Sequence, residues 1–75
     1  MKSYQISLSS INDVKNFVNI VNKYDFEIDL TSGRYVVDAK SIMGIFSLDL
    51  SKTIALTAQC DNCAEFEKEI TPFVV

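Results

Sequence analysis

The sequence predicts a single α+β domain: an open-faced sandwich in which a four-stranded antiparallel sheet carries three helices on one face. Short segments with an apolar residue at every second position predict the strands, and segments with a helical apolar period lie between them. The other positions of the strands are mostly Ser, Gln, Asp, Glu and Thr, so one face of the sheet should meet water. The 75 residues allow one domain with one core, in the order β-α-β-β-α-β-α.

The first strand and first helix follow from the N-terminal pattern. Tyr4, Ile6 and Leu8 alternate with polar residues, which is typical of a strand with one buried face. Ser10 and Asp13 resemble a capping box, and they predict a helix from about Asn12 to Lys23. The apolar stripe of this helix contains Ile11, Val14, Phe17, Val18 and Val21.

A hairpin and a fourth strand supply the rest of the predicted sheet. Phe26, Ile28 and Leu30 alternate with acidic residues, and a turn over residues 31–34 leads into a strand over residues 35–38. The fourth strand has the alternating apolar residues Ile54, Leu56 and Ala58.

A last helix follows the fourth strand. Asp61 is the predicted N-cap, and Phe66, Ile70 and Phe73 form the apolar stripe. Pro72 should end or bend this helix, because proline disfavours helical geometry at the preceding residue.

Composition argues against several classes of function. The chain is 48% hydrophobic and 23% charged, with a net charge of −3 and no basic cluster, which disfavours nucleic-acid binding. No apolar run reaches membrane-spanning length, and no apolar leader follows Met1. We therefore expect a cytoplasmic protein with no membrane partner and no cofactor. Glycine-rich phosphate loops, nucleophile–base pairs and catalytic carboxylate dyads are absent, so an enzyme is not expected.

Ser41 occupies the most informative position in the chain. It follows a predicted strand and precedes residues with helical character, so its hydroxyl should cap a helix. A phosphate at this position would face unpaired amides and the positive end of the helix dipole.

The short helix after Ser41 has more apolar residues than it can bury. Ile42, Met43 and Phe46 lie within one turn, whereas Ile45 and Leu48 fall on a different stripe. Some of these side chains should be exposed, and an exposed apolar patch that includes methionine is commonly a partner-binding surface.

The segment from Lys40 to Leu48 closely resembles the regulatory serine segment of HPr, the small phosphocarrier protein of the bacterial sugar phosphotransferase system. That segment usually reads Lys-Ser-Ile-Met-Gly, followed by alternating bulky apolar residues, and the resemblance extends over nearly the whole chain. It implies the same open-faced sandwich. It also implies that Ser41 is the serine modified by an ATP-dependent kinase, and that a surface for enzymes and a transcriptional repressor includes Lys40, Ile42, Met43 and Phe46.

The resemblance fails at the residue that carries the family's phosphoryl group. The family has a histidine in a Gly-Ile-His-Ala-Arg-Pro-like motif at the start of the first helix. The corresponding residues here are Ser9-Ser10-Ile11-Asn12-Asp13, and the 75 residues contain no histidine. A serine phosphate is a stable ester that would end a relay, so Ser9 and Ser10 are interpreted as the strand end and the helix cap.

Two functions are compatible with this pattern. The first is a regulatory or adaptor protein of the phosphotransferase system that does not relay phosphate through histidine and is phosphorylated at Ser41. Its partners would be a serine kinase/phosphorylase, a transcriptional repressor or phosphotransferase-system enzymes. The alternative is a phosphorylation-independent protein-binding module of the same fold. In either case the protein is expected to be a monomer or a weak homodimer.

A third alternative is a thiol or metal protein built on Cys60 and Cys63. A CxxC pair serves redox exchange or supplies half of a zinc site, but a closed zinc site needs four ligands and no histidine is present. Two small residues in a turn is the ordinary interpretation, and a structural disulfide is not expected in the cytoplasm. The acidic side chains of the hairpin are interpreted as a solvated face; they are Asp25, Glu27, Asp29 and Asp38.

Overall fold

The computed structural model describes all residues, 1–75. The predicted order of elements is confirmed. The strands are β1 (Lys2–Ile6), β2 (Ile28–Ser32), β3 (Tyr35–Asp38) and β4 (Ile54–Ala58). The helices are α1 (Ile11–Val21), α2 (Ile42–Phe46) and α3 (Ala64–Ile70), and a 3₁₀ turn (Thr71–Phe73) follows α3.

The four strands form one antiparallel sheet in the order β1-β4-β2-β3. β4 is therefore central and pairs with β1 on one side and with β2 on the other. The predicted open-faced sandwich is confirmed, since the apolar row of each strand faces the helices and the alternate row is largely polar. The cross-strand register places the following side chains in the open-face rows: Ser3, Thr57, Asp29 and Asp38 in one, and Gln5, Ala55, Thr31 and Val36 in the other.

The core lies between the sheet and the helices and contains only apolar side chains. Phe66 of α3 is fully buried and contacts the rings of Tyr4, Tyr24 and Phe26, each in edge-to-face geometry. Phe17 of α1 packs in the same way against Phe73. The predicted core stripes of α1 and α3 are thereby largely confirmed.

The hairpin turn is tighter than the sequence pattern predicted. β2 continues through Ser32, which pairs with Tyr35, so only Gly33 and Arg34 form the turn. Gly33 has φ +60°, and no other residue has positive φ, which is the pattern of a type II′ turn. This turn matches the twist of the two strands and therefore extends their pairing by a residue.

Helix α1 begins one residue earlier than predicted, and its first apolar residue is not in the core. Ile11 is 62% exposed because it occupies the first turn, beyond the part of the helix that the sheet covers. The C-terminal end comes at Val21, after which the side chain of Asn22 donates to the carbonyl of Val18 at 2.8 Å. Ile11 was therefore wrongly assigned to the buried stripe.

The predicted cap of α3 is also wrong. The helix begins at Ala64 with Cys63 in the N-cap position, and no side chain accepts a hydrogen bond from its first amides. Asp61 lies two residues too early and instead pairs with the N-terminal ammonium of Met1 at 3.3 Å. The effect of Pro72 is as predicted, since the α-helical hydrogen bonding ends at Ile70 and the chain continues as a 3₁₀ turn.

The longest helix, α1, has 11 residues. None of the helices combines the length and the apolar character that crossing a lipid bilayer requires.

Candidate functional site

Ser41 caps α2, as predicted. Its backbone is extended, with φ −100° and ψ 107°, and its hydroxyl oxygen accepts a hydrogen bond from the amide of Gly44 at 3.2 Å. The residue is exposed. The amides of Ile42 and Met43 form no hydrogen bond within the protein, because they belong to the first turn of the helix. An exposed hydroxyl therefore lies beside two free N–H groups.

Gly44 lets α2 lie close to the sheet. A Cβ atom at this position would be 3.2 Å from Cβ of Val37 in β3 and 3.4 Å from the Ser41 hydroxyl oxygen. A side chain at this position would therefore require Val37 or the helix to shift by a few tenths of an ångström.

Lys40 is held by contacts that the sequence did not indicate. Its ammonium donates to the main-chain oxygen of Tyr24 at 2.6 Å, and its amide donates to the carboxylate of Asp38 at 2.9 Å. The side chain is half-buried. Lys40 thus anchors the start of α2 to the segment that follows α1.

The apolar residues of α2 divide as their spacing predicted. Ile45 is fully buried and Leu48 is nearly so, whereas Met43 is 76% exposed and Phe46 is 41% exposed. Ile42 is half-buried against the core. We call Ile42, Met43 and Phe46 the α2 patch.

The segment at the start of α1 is built around a carboxylate. Asp13 accepts hydrogen bonds from the amide and the hydroxyl of Ser9, at 3.2 and 2.9 Å, and its own amide donates to the hydroxyl oxygen of Ser10 at 3.1 Å. The capping box is therefore present in a modified form, in which the side chain reaches Ser9 rather than the N-cap residue Ser10. A negative charge occupies the position next to both hydroxyls.

Three acidic side chains of the hairpin share a small pocket with a lysine. Glu27, Asp29 and Asp38 line this pocket together with Lys40. Asp29 and Asp38 are direct cross-strand partners. Asp25 does not line this pocket, and no group of three or more side chains converges as a metal site would require.

Cys60 and Cys63 are joined by a disulfide bond, contrary to the expectation from the sequence. The loop between β4 and α3 brings their Cα atoms to 6.2 Å, within the range that a disulfide spans. Sequence spacing alone left open whether the two sulfurs point toward each other.

The fold and the Ser41 segment define a class of protein. It is a small open-faced sandwich in which a serine caps a short helix that presents apolar side chains to solvent. The comparisons with known proteins agree with this class and assign a family to it.

The family model described as "PTS HPr component phosphorylation site" matches residues 12–74. The chain therefore belongs to the HPr family, the phosphocarrier proteins of the phosphotransferase system. No curated protein matches the chain.

Two solved structures are similar to the chain over nearly its whole length. HPr-C-His from Thermoanaerobacter tengcongensis is 29% identical with a TM-score of 0.79, over 96% of this chain and 89% of that one. The phosphocarrier protein HPr from Bacillus anthracis str. Ames is 27% identical with a TM-score of 0.72, over 99% of this chain and 94% of that one. The suspected family and fold are thus both confirmed.

Proposed function

We propose that this protein is a non-enzymatic regulatory or adaptor member of the phosphotransferase system, unable to relay phosphate through histidine and phosphorylated at Ser41. One observation carries the proposal: the 75 residues contain no histidine, while an exposed serine caps a helix beside two free amides. The protein would act in the cytoplasm, where a serine kinase/phosphorylase, a transcriptional repressor or enzymes of the same system are the candidate partners.

The start of α1 supports the loss of phosphotransfer. Both hydroxyls there are engaged, that of Ser9 as a donor to Asp13 and that of Ser10 as the helix cap. A phosphate on either serine would meet the Asp13 carboxylate at close range and would be repelled. A serine ester would also hold its phosphate too stably to pass it on.

The start of α2 supports modification at Ser41. A phosphate on this oxygen would remain in solvent and could accept hydrogen bonds from the amides of Ile42 and Met43. The charge would stand directly beside the α2 patch. Modification would thereby change how a partner binds Met43 and Phe46 without altering the core.

Two reactions followed by intact-protein mass spectrometry test the proposal. A serine kinase of the family with ATP should add one phosphate, and phosphoenolpyruvate with enzyme I should add none. Ser41→Ala should abolish the first reaction, while Ser47→Ala is the matched control, since Ser47 is an exposed serine at the other end of α2. Transfer from enzyme I would overturn the histidine argument, and kinase-dependent phosphate on Ser41→Ala would overturn the assignment of the site.

A phosphorylation-independent binding module is the second candidate, and the exposure of Met43 and Phe46 favours it. In that case the kinase would leave the protein unmodified, and Met43→Asp would still weaken binding to a partner or to a second copy of the chain. Val75→Asp is a suitable control, because Val75 is similarly exposed but lies outside the α2 patch.

A further inference from the structure

We propose that Cys60 and Cys63 form a reversible dithiol–disulfide site that exchanges electrons with external dithiols while the fold remains intact. The inference does not rest on the proposed function at Ser41. It is carried by the bond between the two sulfurs, by the unequal exposure of the two cysteines and by the rigid elements on either side of the loop.

The loop that holds the cysteines is anchored at both ends. β4 ends at Ala58 and is paired with a strand on each side, and α3 is fixed by the fully buried side chains of Phe66 and Ile70. The main chain adds two hydrogen bonds, from the amide of Cys60 to Ala58 and from the amide of Glu67 to Cys63. Breaking the disulfide would therefore leave both thiols close together.

The disulfide contributes little to the stability of the fold. It closes a loop of four residues between elements that the sheet and core already fix. Loop-closure entropy grows with loop length, so this loop gains less from a covalent bond than a long one would. Reduction should consequently be possible without unfolding.

The two cysteines differ in their exposure to solvent. Cys63 is 7% exposed and belongs to the core, whereas Cys60 is half-buried and is followed by the exposed residues Asp61 and Asn62. An attacking thiolate needs an open path to one sulfur. Cys60 is therefore the attacked residue and Cys63 the leaving group.

The exchange balances in two steps. A thiolate of the external dithiol bonds to the Cys60 sulfur, the disulfide breaks, and Cys63 leaves as a thiolate that takes up a proton. The second thiolate of the reagent then attacks the other sulfur of the reagent, which is bonded to Cys60 in the mixed disulfide. Cys60 leaves as a thiolate and is protonated. The protein gains two electrons and two protons, and the reagent becomes a cyclic disulfide; oxidation is the reverse.

The charges around the loop should slow this attack. Asp61 follows Cys60 directly, Glu65 and Glu67 lie in the first turn of α3, and the N-terminal ammonium is the cation paired with Asp61. The three carboxylates repel an anionic thiolate. Asp61→Asn should accordingly speed reduction, and Asn62→Ser in the same loop should leave the rate nearly unchanged.

The test is a redox titration of the full chain in buffers with different ratios of reduced to oxidised dithiothreitol. Samples are quenched in acid and alkylated, and the number of alkyl groups per chain is measured by intact-protein mass spectrometry. Circular dichroism is recorded in parallel. We expect one two-electron transition, from no alkyl groups to two, with an unchanged spectrum. Reduction only in denaturant, a spectrum that is lost with reduction, or thiols that oxidised dithiothreitol leaves free would each overturn the proposal.

Single variants test which sulfur is attacked. In Cys63→Ser, the thiol of Cys60 should react quickly with an aromatic disulfide, whereas the thiol of Cys63 in Cys60→Ser should react at least about tenfold more slowly. Circular dichroism establishes that each variant is folded before its rate is measured. Equal rates, or a faster Cys63, would contradict the assignment, and the Ser41 phosphorylation assay is an independent measurement in either case.

Discussion

The ammonium of Lys40 donates a 2.6 Å hydrogen bond to the main-chain oxygen of Tyr24, a residue that follows α1. The bond joins the entrance of α2 to the exit of α1. Because Ser41 is the next residue, Lys40 fixes the backbone from which the capping hydroxyl projects. Lys40 thus has a structural role in addition to its proposed place in the binding surface.

Replacing Lys40 by Met should lower the free energy of unfolding by about 1 kcal/mol, because the hydrogen bond to the Tyr24 carbonyl is lost from a half-buried position. Urea denaturation measures this change. Lys15→Met is the matched control, since Lys15 is exposed on α1 and should have almost no effect. Equal losses for the two variants would show that the Lys40 bond contributes nothing specific.

Ser10→Ala should destabilise the protein by about 1 kcal/mol, because the Asp13 amide loses its capping acceptor. Asn16→Ala on the exposed face of the same helix is the control. Thermal unfolding of both proteins checks the difference. A Ser10→Ala variant as stable as its parent would mean that the Ser9–Asp13 contacts alone suffice to cap α1.

Tyr4 should make the stability depend on pH under alkaline conditions. The pKa of Tyr4 is raised from 10.0 to about 12. Burial is the largest cause, and the hydrogen bond from the Tyr4 hydroxyl to the Glu67 carboxylate is the next. The folded protein therefore holds the proton more tightly than the unfolded chain does. The stabilisation is complete below about pH 10 and is lost as the pH rises toward about 12.

Tyr4→Phe should flatten the stability profile in this pH range, as measured by urea denaturation at successive pH values. A residual slope should remain, because burial also raises the pKa of Tyr24. Glu67→Gln should lower the Tyr4 pKa only in part, since burial is the larger cause. An unchanged profile for Tyr4→Phe would refute the assignment.

Asp29→Asn should stabilise the protein by roughly 0.2–1 kcal/mol, because it removes the negative charge directly opposite Asp38 on the adjacent strand. The gain should shrink at high salt, where repulsion is screened. Asp25→Asn, at an exposed position outside the β2–β3 ladder, is the control. A gain that does not respond to salt would point to a cause other than charge.

The elements with a clear apolar period could be predicted from the sequence, and their boundaries could not. Ile11 fits the stripe of α1 but is exposed, since periodicity records direction around a helix and not how far the sheet extends beneath it. Asp61 has the right residue type for a cap but lies too early, because the loop runs on to Cys63 before helical geometry begins. The hydroxyl of Ser41 was correctly placed, since a cap depends only on its neighbours in the chain.

The amino-acid sequence by itself determined the class of fold, the missing histidine, the cap at Ser41 and the surplus of apolar residues in α2, because each depends on residue type and local spacing. Only the tertiary structure decided that Lys40 reaches Tyr24, that Asp29 faces Asp38 and that the two cysteines are joined. The first relationship depends on how α1 and α2 pack on the sheet, the second on the hairpin register that the turn at Gly33 and Arg34 sets, and the third on the path of the loop between β4 and α3.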